Sequence, residues 1–302
     1  MNSSIIIYGA TASGKSDFAI SLANEINGVI INGDSAQIYK EFPILSNIPT
    51  PQDILKAPHK LFAIQSILDD FSVKNWIDLA VKEINICYNE GKTPIIVSGS
   101  GMYLKSLIDG ISNIPTSNTH KQLAQQTFND IGYDEFFKKM SSINPQYTSK
   151  FSDPQRLIRM YEVWLLTGQS ILDFQKNLIK PIETNFIKFF LQKDRSTLYE
   201  DINQRFLKMI TTGGIEEVEF FVNKNSKYLS KLSKILGASE INLYINKKIS
   251  YEDLIQQAQT KSRHYAKRQI TWFNGMFSNT FEVLESNNIK KNLNYIKNNF
   301  NF

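Results

Sequence analysis

The chain has 302 residues, 42% of them hydrophobic and 21% charged, with a formal net charge of +5. No run of about 18 apolar residues occurs, which argues against a membrane-spanning helix. The single cysteine, Cys87, excludes an internal disulfide and a cysteine-built zinc site, and the three scattered histidines offer no spacing for a protein-only metal cage.

Met1-Asn2-Ser3-Ser4 runs without a basic region or cleavage site into the β-branched run Ile5-Ile6-Ile7-Tyr8, so no secretory signal is expected and the protein reads as cytoplasmic. Directly after this strand come Gly9-Ala10-Thr11-Ala12-Ser13-Gly14-Lys15-Ser16, matching G-x-x-x-x-G-K-[ST], and then a helical stretch, Asp17 to Ala23. Strand, glycine loop and helix in that order make a cradle of backbone N–H groups for linked phosphates. Lys15 supplies a cation, and the Ser16 hydroxyl a ligand for Mg²⁺. Something carrying a diphosphate is therefore expected to bind here.

Val29-Ile30-Ile31-Asn32 reads as a second buried strand and Pro94-Ile95-Ile96-Val97 as a third. Between them, Val73 to Tyr88 repeats Trp76, Leu79, Ala80, Ile84 and Cys87 at helical spacing. Phe186 to Leu191 looks like a later strand of the same sheet. The expected fold class is α/β, a P-loop NTPase-like parallel sheet wrapped by helices, with ligands at the carboxyl ends of the strands.

From Ile111 to Glu183 the strand signal vanishes between two turn-rich stretches, so a helical insertion domain is expected over 112–183, with the core formed by 1–111 and 184–302. The clearest insertion helix has Ser152 or Asp153 as N-cap, Pro154 in its first turn and Gly168 past its end. Ser250-Tyr251-Glu252-Asp253 resembles a capping box opening a helix to about Phe273. Its second half interleaves Lys261, Arg263, Lys267 and Arg268 with Tyr265 and Trp272, a pattern suited to a phosphate backbone and exposed bases. The tail from Ile289 to Phe302 places Ile289, Leu293, Ile296 and Phe300 at helical spacing and is expected to pack on the core.

Cation choice adds a second signal. Only six arginines occur, Arg156, Arg159, Arg195, Arg205, Arg263 and Arg268, against 28 lysines, so arginine marks places where a planar fork suits phosphate or nucleic acid. At the strand ends lie Asp34-Ser35-Ala36-Gln37, where Asp34 could be a general base, a Mg²⁺ partner or a ribose contact, and Ser98-Gly99-Ser100-Gly101, whose glycines allow close backbone approach to a ligand and whose Ser100 offers a hydroxyl.

From about Ile5 to Phe273 the chain resembles the tRNA dimethylallyltransferases. The blocks that carry the resemblance are Gly9 to Ser16, Asn32-Gly33-Asp34-Ser35 with Gln37 and Tyr39, Pro58-His59, and Gly99 to Lys105. They continue with Asp153-Pro154-Gln155-Arg156 with Arg159, Glu162, Val163, Thr167 and Gly168, Arg195 with Leu198-Tyr199, Arg205 with Met209, and Tyr265 through Phe273. The resemblance implies that the loop from Gly9 to Ser16 holds the diphosphate of dimethylallyl diphosphate as a leaving group. Asp34, Ser100 and Arg205 would be catalytic, with Mg²⁺ held through Ser16. The acceptor would be the exocyclic amine of the adenosine 3′ of the anticodon, flipped from its stack. The tRNA anticodon stem-loop would be bound by Asp34, Ser35, Ala36 and Gln37; by Gln155, Arg156, Leu157, Ile158 and Arg159; and by Lys267, Arg268, Gln269, Thr271 and Trp272. A cytoplasmic monomer is expected, with no membrane partner.

Two departures stand out: Leu45-Ser46-Asn47-Ile48-Pro49 replaces the family's Gly-Thr-x-Lys-Pro run, and Ala238 stands where Tyr is usual. The absence of a zinc-finger extension suits a bacterial-type member. A P-loop nucleoside or nucleotide kinase, a prenyltransferase acting on free adenine nucleotides, and a non-catalytic RNA-binding P-loop protein are the alternatives. Each leaves part of the pattern unused: the arginine pair beside a tRNA-type motif, the basic helix, or Asp34.

Overall fold

The computed structural model describes residues 2–300 and forms two compact units, Met1–Ile108 with Ile182–Phe302, and Asp109–Pro181. The strands in chain order are β1 Ser3–Tyr8, β2 Gly28–Asn32, β3 His59–Lys60, β4 Thr93–Ser98, β5 Ile111–Ser112, β6 Leu178–Ile179, β7 Asn185–Gln192 and β8 Glu282–Glu285. Six of them form one sheet in the order β3-β2-β4-β1-β7-β8, and every neighbouring pair is parallel.

Central β1 has Ile5, Ile6, Ile7 and Tyr8 all at 0% exposure, which is why its apolar run is continuous: both faces of a parallel strand are covered. Phe18, Ala19, Leu22 and Ala23 of the Lys15–Glu25 helix cover one face, together with Ile296 of the Ile289–Asn299 helix. On the Val73–Asn89 helix, capped by a Ser72–Asn75 box, Trp76 is fully buried, and its Nε1 donates to the Asn32 carbonyl at 2.7 Å. That bond fastens the helix to the end of β2. A second core joins Tyr39 and Phe42 to Phe206, Phe221, Leu232 and Leu254 of the later helices.

The edges differ from the sequence expectation. The sequence places no strand after Leu191, yet β8 adds a sixth strand beside β7, and the two-residue β3 closes the other side. β8 reads Glu-Val-Leu-Glu, with only Leu284 buried. Short, charged strands blunt a sheet edge against further pairing, and the same composition hides them in a sequence.

Asp109–Pro181 is a helical unit with its own core, formed by Phe136, Met140, Tyr147, Leu157, Tyr161 and their neighbours. Asn118–Ile143 is interrupted at Gly132, where φ is 75°. The Pro154–Thr167 helix is capped by Asp153, whose carboxylate accepts from the Arg156 N–H, and it ends on Gly168 at φ 68°. Contrary to the expectation that strands are absent here, β5 and β6 pair antiparallel.

Candidate active site

Because the sheet is parallel, the carboxyl ends of β1, β2, β4 and β7 lie along one edge, and the segments that follow them line a cavity of about 800 Å³. Thr11 to Ser16, Asp34 to Gln37, Ser98-Gly99 and Lys193 all contribute to it. Gly9 and Ala10 are buried behind the lining, and Gly9 is required by packing: a Cβ there would lie 2.7 Å from Ser13 Oγ and 2.9 Å from the Leu191 carbonyl.

The loop has the curvature of an anion nest. Ala12 and Gly14 adopt φ 63° and 86°, and the Lys15–Glu25 helix starts at once, leaving its first N–H groups without intrahelical partners. Ser13 Oγ, facing the same cavity, is buried without a hydrogen-bond partner, an orphan that an anionic oxygen acceptor would satisfy. Lys15 folds back so that Nζ donates to the Ala10 carbonyl at 2.6 Å. Burial pushes its ammonium down to about 8, with the nearby Arg205 charge adding to the effect and Asp34 opposing it. Arg205, on the Arg195–Met209 helix, donates from Nη1 to Thr11 Oγ1 at 3.3 Å; burial lowers its guanidinium too, against the pull of Asp34. The cavity lining holds six Lys or Arg side chains, Lys15 and Arg205 among them desolvated, against four Asp, which leaves the site short of negative charge.

Asp34 is held firmly. Its N–H donates to Asn32 Oδ1 at 2.8 Å, its carbonyl accepts from Asn32 Nδ2 at 3.1 Å, and Oδ1 accepts from the Ala36 N–H at 3.0 Å. Oδ2 lies against Gly99, 2.9 Å from where a Cβ would stand. One carboxylate oxygen is thus anchored while the other is left for a proton, an arrangement suited to a general base.

The other expected site residues fall into two sets. Ser100 is engaged by its neighbours: its Oγ accepts from the Ser35 N–H at 3.0 Å, lies 3.1 Å from Ser35 Oγ and meets the Tyr265 side chain. Gln37 lines the cavity, and its Nε2 donates to the Ser46 and Asn47 carbonyls at 3.2 and 2.7 Å, bracing the segment that departs from the family pattern. Ala238, the other departure, is fully buried in the core that includes Phe206.

On the Tyr251–Met276 helix, Lys267, Arg268 and Thr271 are exposed, and Arg268 reaches the cavity. Gln269 corrects the sequence reading. It is 5% exposed, accepts from the Thr11 N–H at 2.8 Å and donates from Nε2 to the Gly99 carbonyl at 2.8 Å, so it ties loops together inside the protein and is not free to grip RNA. Gly99, read as room for a ligand, lines the cavity, and both it and Gly101 also make room for this helix: Cβ atoms there would lie 2.4 Å from Gln269 Nε2 and 2.1 Å from the Trp272 ring.

In the helical unit, Gln155 and Arg156 are exposed, with Arg156 over the Phe151 ring at 4.7 Å. Leu157 is at 0% exposure in the core, with Ile158 packed against that cluster, so the structure assigns this pair to packing and not to RNA. Arg159 is likewise committed. Nη1 lies 2.6 Å from Glu162 Oε1, and Nη2 donates to the Ile114 and Pro115 carbonyls at 3.3 and 3.0 Å.

Sequence reasoning passed over Lys193, Asp201, Lys234 and Tyr265 as cavity residues. Lys193 was findable, since it directly follows a strand read from the sequence; here it is ion-paired with Asp201. Lys234 carried no signal. It reaches in from a 3₁₀ segment to donate to the Tyr39 hydroxyl at 3.0 Å.

Among the described residues no group of three or more His, Cys, Asp or Glu could hold a metal. A cation here would depend on the exposed Ser16 hydroxyl, phosphate oxygens and water, and such a donor set fits Mg²⁺, which keeps much of its hydration.

Sheet, glycine loop and strand-end carboxylate together define a P-loop α/β protein in which the loop and Asp34 line one cavity. A family model described as IPP transferase matches residues 37–276, and the chain belongs to that family. It is 41% identical to the tRNA dimethylallyltransferase of Ehrlichia ruminantium over 282 residues, covering 92% of this chain and 94% of that protein. It is 40% identical to the Rickettsia bellii protein of the same name over 275 residues, covering 89% and 87%. The crystal structure of a tRNA isopentenylpyrophosphate transferase from Bacillus halodurans superposes with a TM-score of 0.71 at 26% identity, covering 99% of this chain and 96% of that one. A eukaryotic dimethylallyltransferase solved acting on tRNA shares the fold, with a TM-score of 0.80 at 22% identity, over 95% of this chain and 74% of that one.

Proposed function

We propose that this protein is a tRNA dimethylallyltransferase, moving the dimethylallyl group of dimethylallyl diphosphate to the exocyclic amine of the adenosine 3′ of the anticodon. Family membership and relatives of that name over nearly the whole chain support the class of reaction. The observation that carries the chemistry is the shared cavity: an anchored carboxylate with one oxygen left for a proton, and a phosphate cradle backed by two part-buried, desolvated cations.

In this reading the amine nitrogen bonds to the first prenyl carbon as the carbon–oxygen bond to diphosphate breaks. Asp34 Oδ2 accepts the proton that the amine loses. Loop N–H groups, Lys15 and Arg205 take up the charge that grows on the diphosphate, contacts that are worth roughly 10²–10³ in rate each when preorganised. Mg²⁺ held through Ser16 would supply further charge neutralisation. Apolar cavity residues such as Leu45, Ile48, Phe62 and Leu236 suit the prenyl chain and exclude water from a carbon that water would otherwise attack. Exposed Lys267, Arg268 and Thr271, and on the helical unit Gln155 and Arg156, offer the charge and hydrogen bonds for RNA. The reading includes a cytoplasmic monomer; among the described residues no helix is long and apolar enough to cross a membrane.

The test is incubation of purified protein with Mg²⁺, dimethylallyl diphosphate and unmodified tRNA, followed by mass spectrometry of the nucleosides. A prenyl adduct on adenosine that disappears in Asp34→Ala supports both reaction and base. Phosphate transfer from ATP to a nucleoside, with no adduct, would return the site to the kinases.

A further inference from the structure

We propose that Gln269 is a positioning residue for the transfer, a single buried amide that sets the distance between leaving group and base. The inference rests on the prenyl-transfer reading of the cavity, and it removes Gln269 from the RNA-contacting face of its helix.

The geometry converges on this one side chain. Oε1 accepts from the Thr11 N–H at 2.8 Å, and the hydroxyl of that same Thr11 accepts from Arg205 at 3.3 Å. Nε2 donates to the Gly99 carbonyl at 2.8 Å, and Gly99 is the residue against which Asp34 Oδ2 lies. Its main-chain carbonyl accepts from the buried Tyr8 hydroxyl at 3.0 Å, and its side chain meets the Tyr265 hydroxyl, which also reaches Ser100. The diphosphate loop, the cation that backs it and the turn beside the base are therefore joined through one planar group. That group needs an acceptor on one side and a donor on the other. A primary amide meets both demands at any working pH, whereas a carboxyl side chain meets them only while it is protonated.

The same helix presents Lys267, Arg268 and Thr271 to solvent. A neighbour that grips RNA and a residue that holds the catalytic loops thus share one rigid element, two or fewer positions apart.

Two variants test the assignment. Gln269→Leu removes both bonds at similar volume, and kcat for prenylation is expected to fall about 10- to 100-fold, the scale of a misplaced reacting group, while KM for tRNA is unchanged. Gln269→Glu keeps the acceptor for Thr11 but sets a carboxylate oxygen against the Gly99 carbonyl. Its activity relative to wild type is expected to be low near pH 8.5 and to climb as pH is lowered toward about 6, because the protonated acid regains the donor. Expressed per folded molecule at each pH, a purely structural loss would show no recovery with acid, so the pH series decides the matter even if Gln269→Leu fails to fold. Wild-type kcat in Gln269→Glu at every pH, or a defect confined to KM for tRNA, would overturn the proposal. Calorimetry with inorganic pyrophosphate separates it from the reaction assignment. If wild type makes no prenyl-adenosine the function is wrong, yet weaker pyrophosphate binding in Gln269→Glu that recovers with acid still supports the loop tie.

Discussion

Gly99 lacks a side chain because Gln269 and Asp34 occupy its space from two sides: a Cβ would sit 2.4 Å from Gln269 Nε2 and 2.9 Å from Asp34 Oδ2. Gly99→Ala therefore pushes on both the loop tie and the base. At Gly101 the three atoms nearest the added Cβ all belong to the Trp272 ring, the first at 2.1 Å, and that ring is wedged against Tyr8 and Phe277. Each overpacked variant is expected to lose about 1–3 kcal/mol of stability in denaturant melts. The activities should part, with kcat falling more per kcal/mol lost in Gly99→Ala than in Gly101→Ala. Equal specific activity in the folded fraction of both would show that the Gly99 turn does not bear on the base.

Lys15 leads to a pH prediction. Burial pushes its ammonium down to about 8, so without ligand it loses its proton as pH rises past that point. A diphosphate beside it favours the charged form, so binding above about pH 8 must be accompanied by proton uptake. Affinity for dimethylallyl diphosphate should weaken by up to about tenfold per pH unit there, and Lys15→Met should lack that component. The same shift has a stability sign. The folded state holds fewer protons at Lys15 than the unfolded state between about 8 and the ordinary 10.5, so this group's penalty is largest below that window and is relieved as pH rises through it. Titration calorimetry in two buffers of different ionisation enthalpy would measure the uptake.

Much of this was legible in the sequence because it is local. The run Ile5 to Ser16 announces strand, nest and helix in continuous order, and Asp153-Pro154 with Gly168 marks both ends of a helix. β8 was hidden because its pairing partner is about ninety residues away and its own four residues include two glutamates. Gln269 was misread for a related reason. Between Arg268 and Ile270 it looks like part of a basic face, and only the fold shows that it turns inward toward Thr11 and Gly99, whereas Lys267 and Arg268 turn outward. Arg159 reads as an RNA contact until Glu162 and two carbonyls are seen to hold its guanidinium.

That pair separates structure from RNA contact within the helical unit. Burial alone would raise the Glu162 carboxyl, but the Arg159 guanidinium, the Thr116 hydroxyl and the Ser117 N–H outweigh it and hold it below its ordinary value of 4.5. Its contribution to stability is fully present above that ordinary value and is lost as pH falls below it, through the depressed folded value. Leu157→Ala should cost about 2–5 kcal/mol through the cavity it leaves, whereas exposed Arg156→Ala should leave the melting curve in place. If Arg156 touches a phosphate, its loss should lower RNA affinity and reduce the slope of log K against log salt by about 0.9. An unchanged slope with Arg156→Ala would assign that side chain to its stacking on Phe151 and its ion pair with Asp153.

Arg205 gives the sharpest test of the leaving-group side. Its guanidinium is part-buried and desolvated, feels the Asp34 charge, and among the described residues hydrogen-bonds only to the Thr11 hydroxyl, at 3.3 Å. A cation so placed keeps most of its hydrogen-bonding capacity for something that enters the cavity. Arg205→Gln removes the charge while retaining a donor for Thr11. If the charge acts on departing diphosphate, kcat should fall about 10²–10³-fold in single-turnover measurements. Arg205→Lys should recover part of that loss, since a point charge replaces the fork without its paired donors. A substrate bearing a better leaving group than diphosphate, such as the corresponding prenyl halide, should be far less sensitive to both variants. Equal sensitivity to the halide would move Arg205 from the leaving group to the framework of the loop.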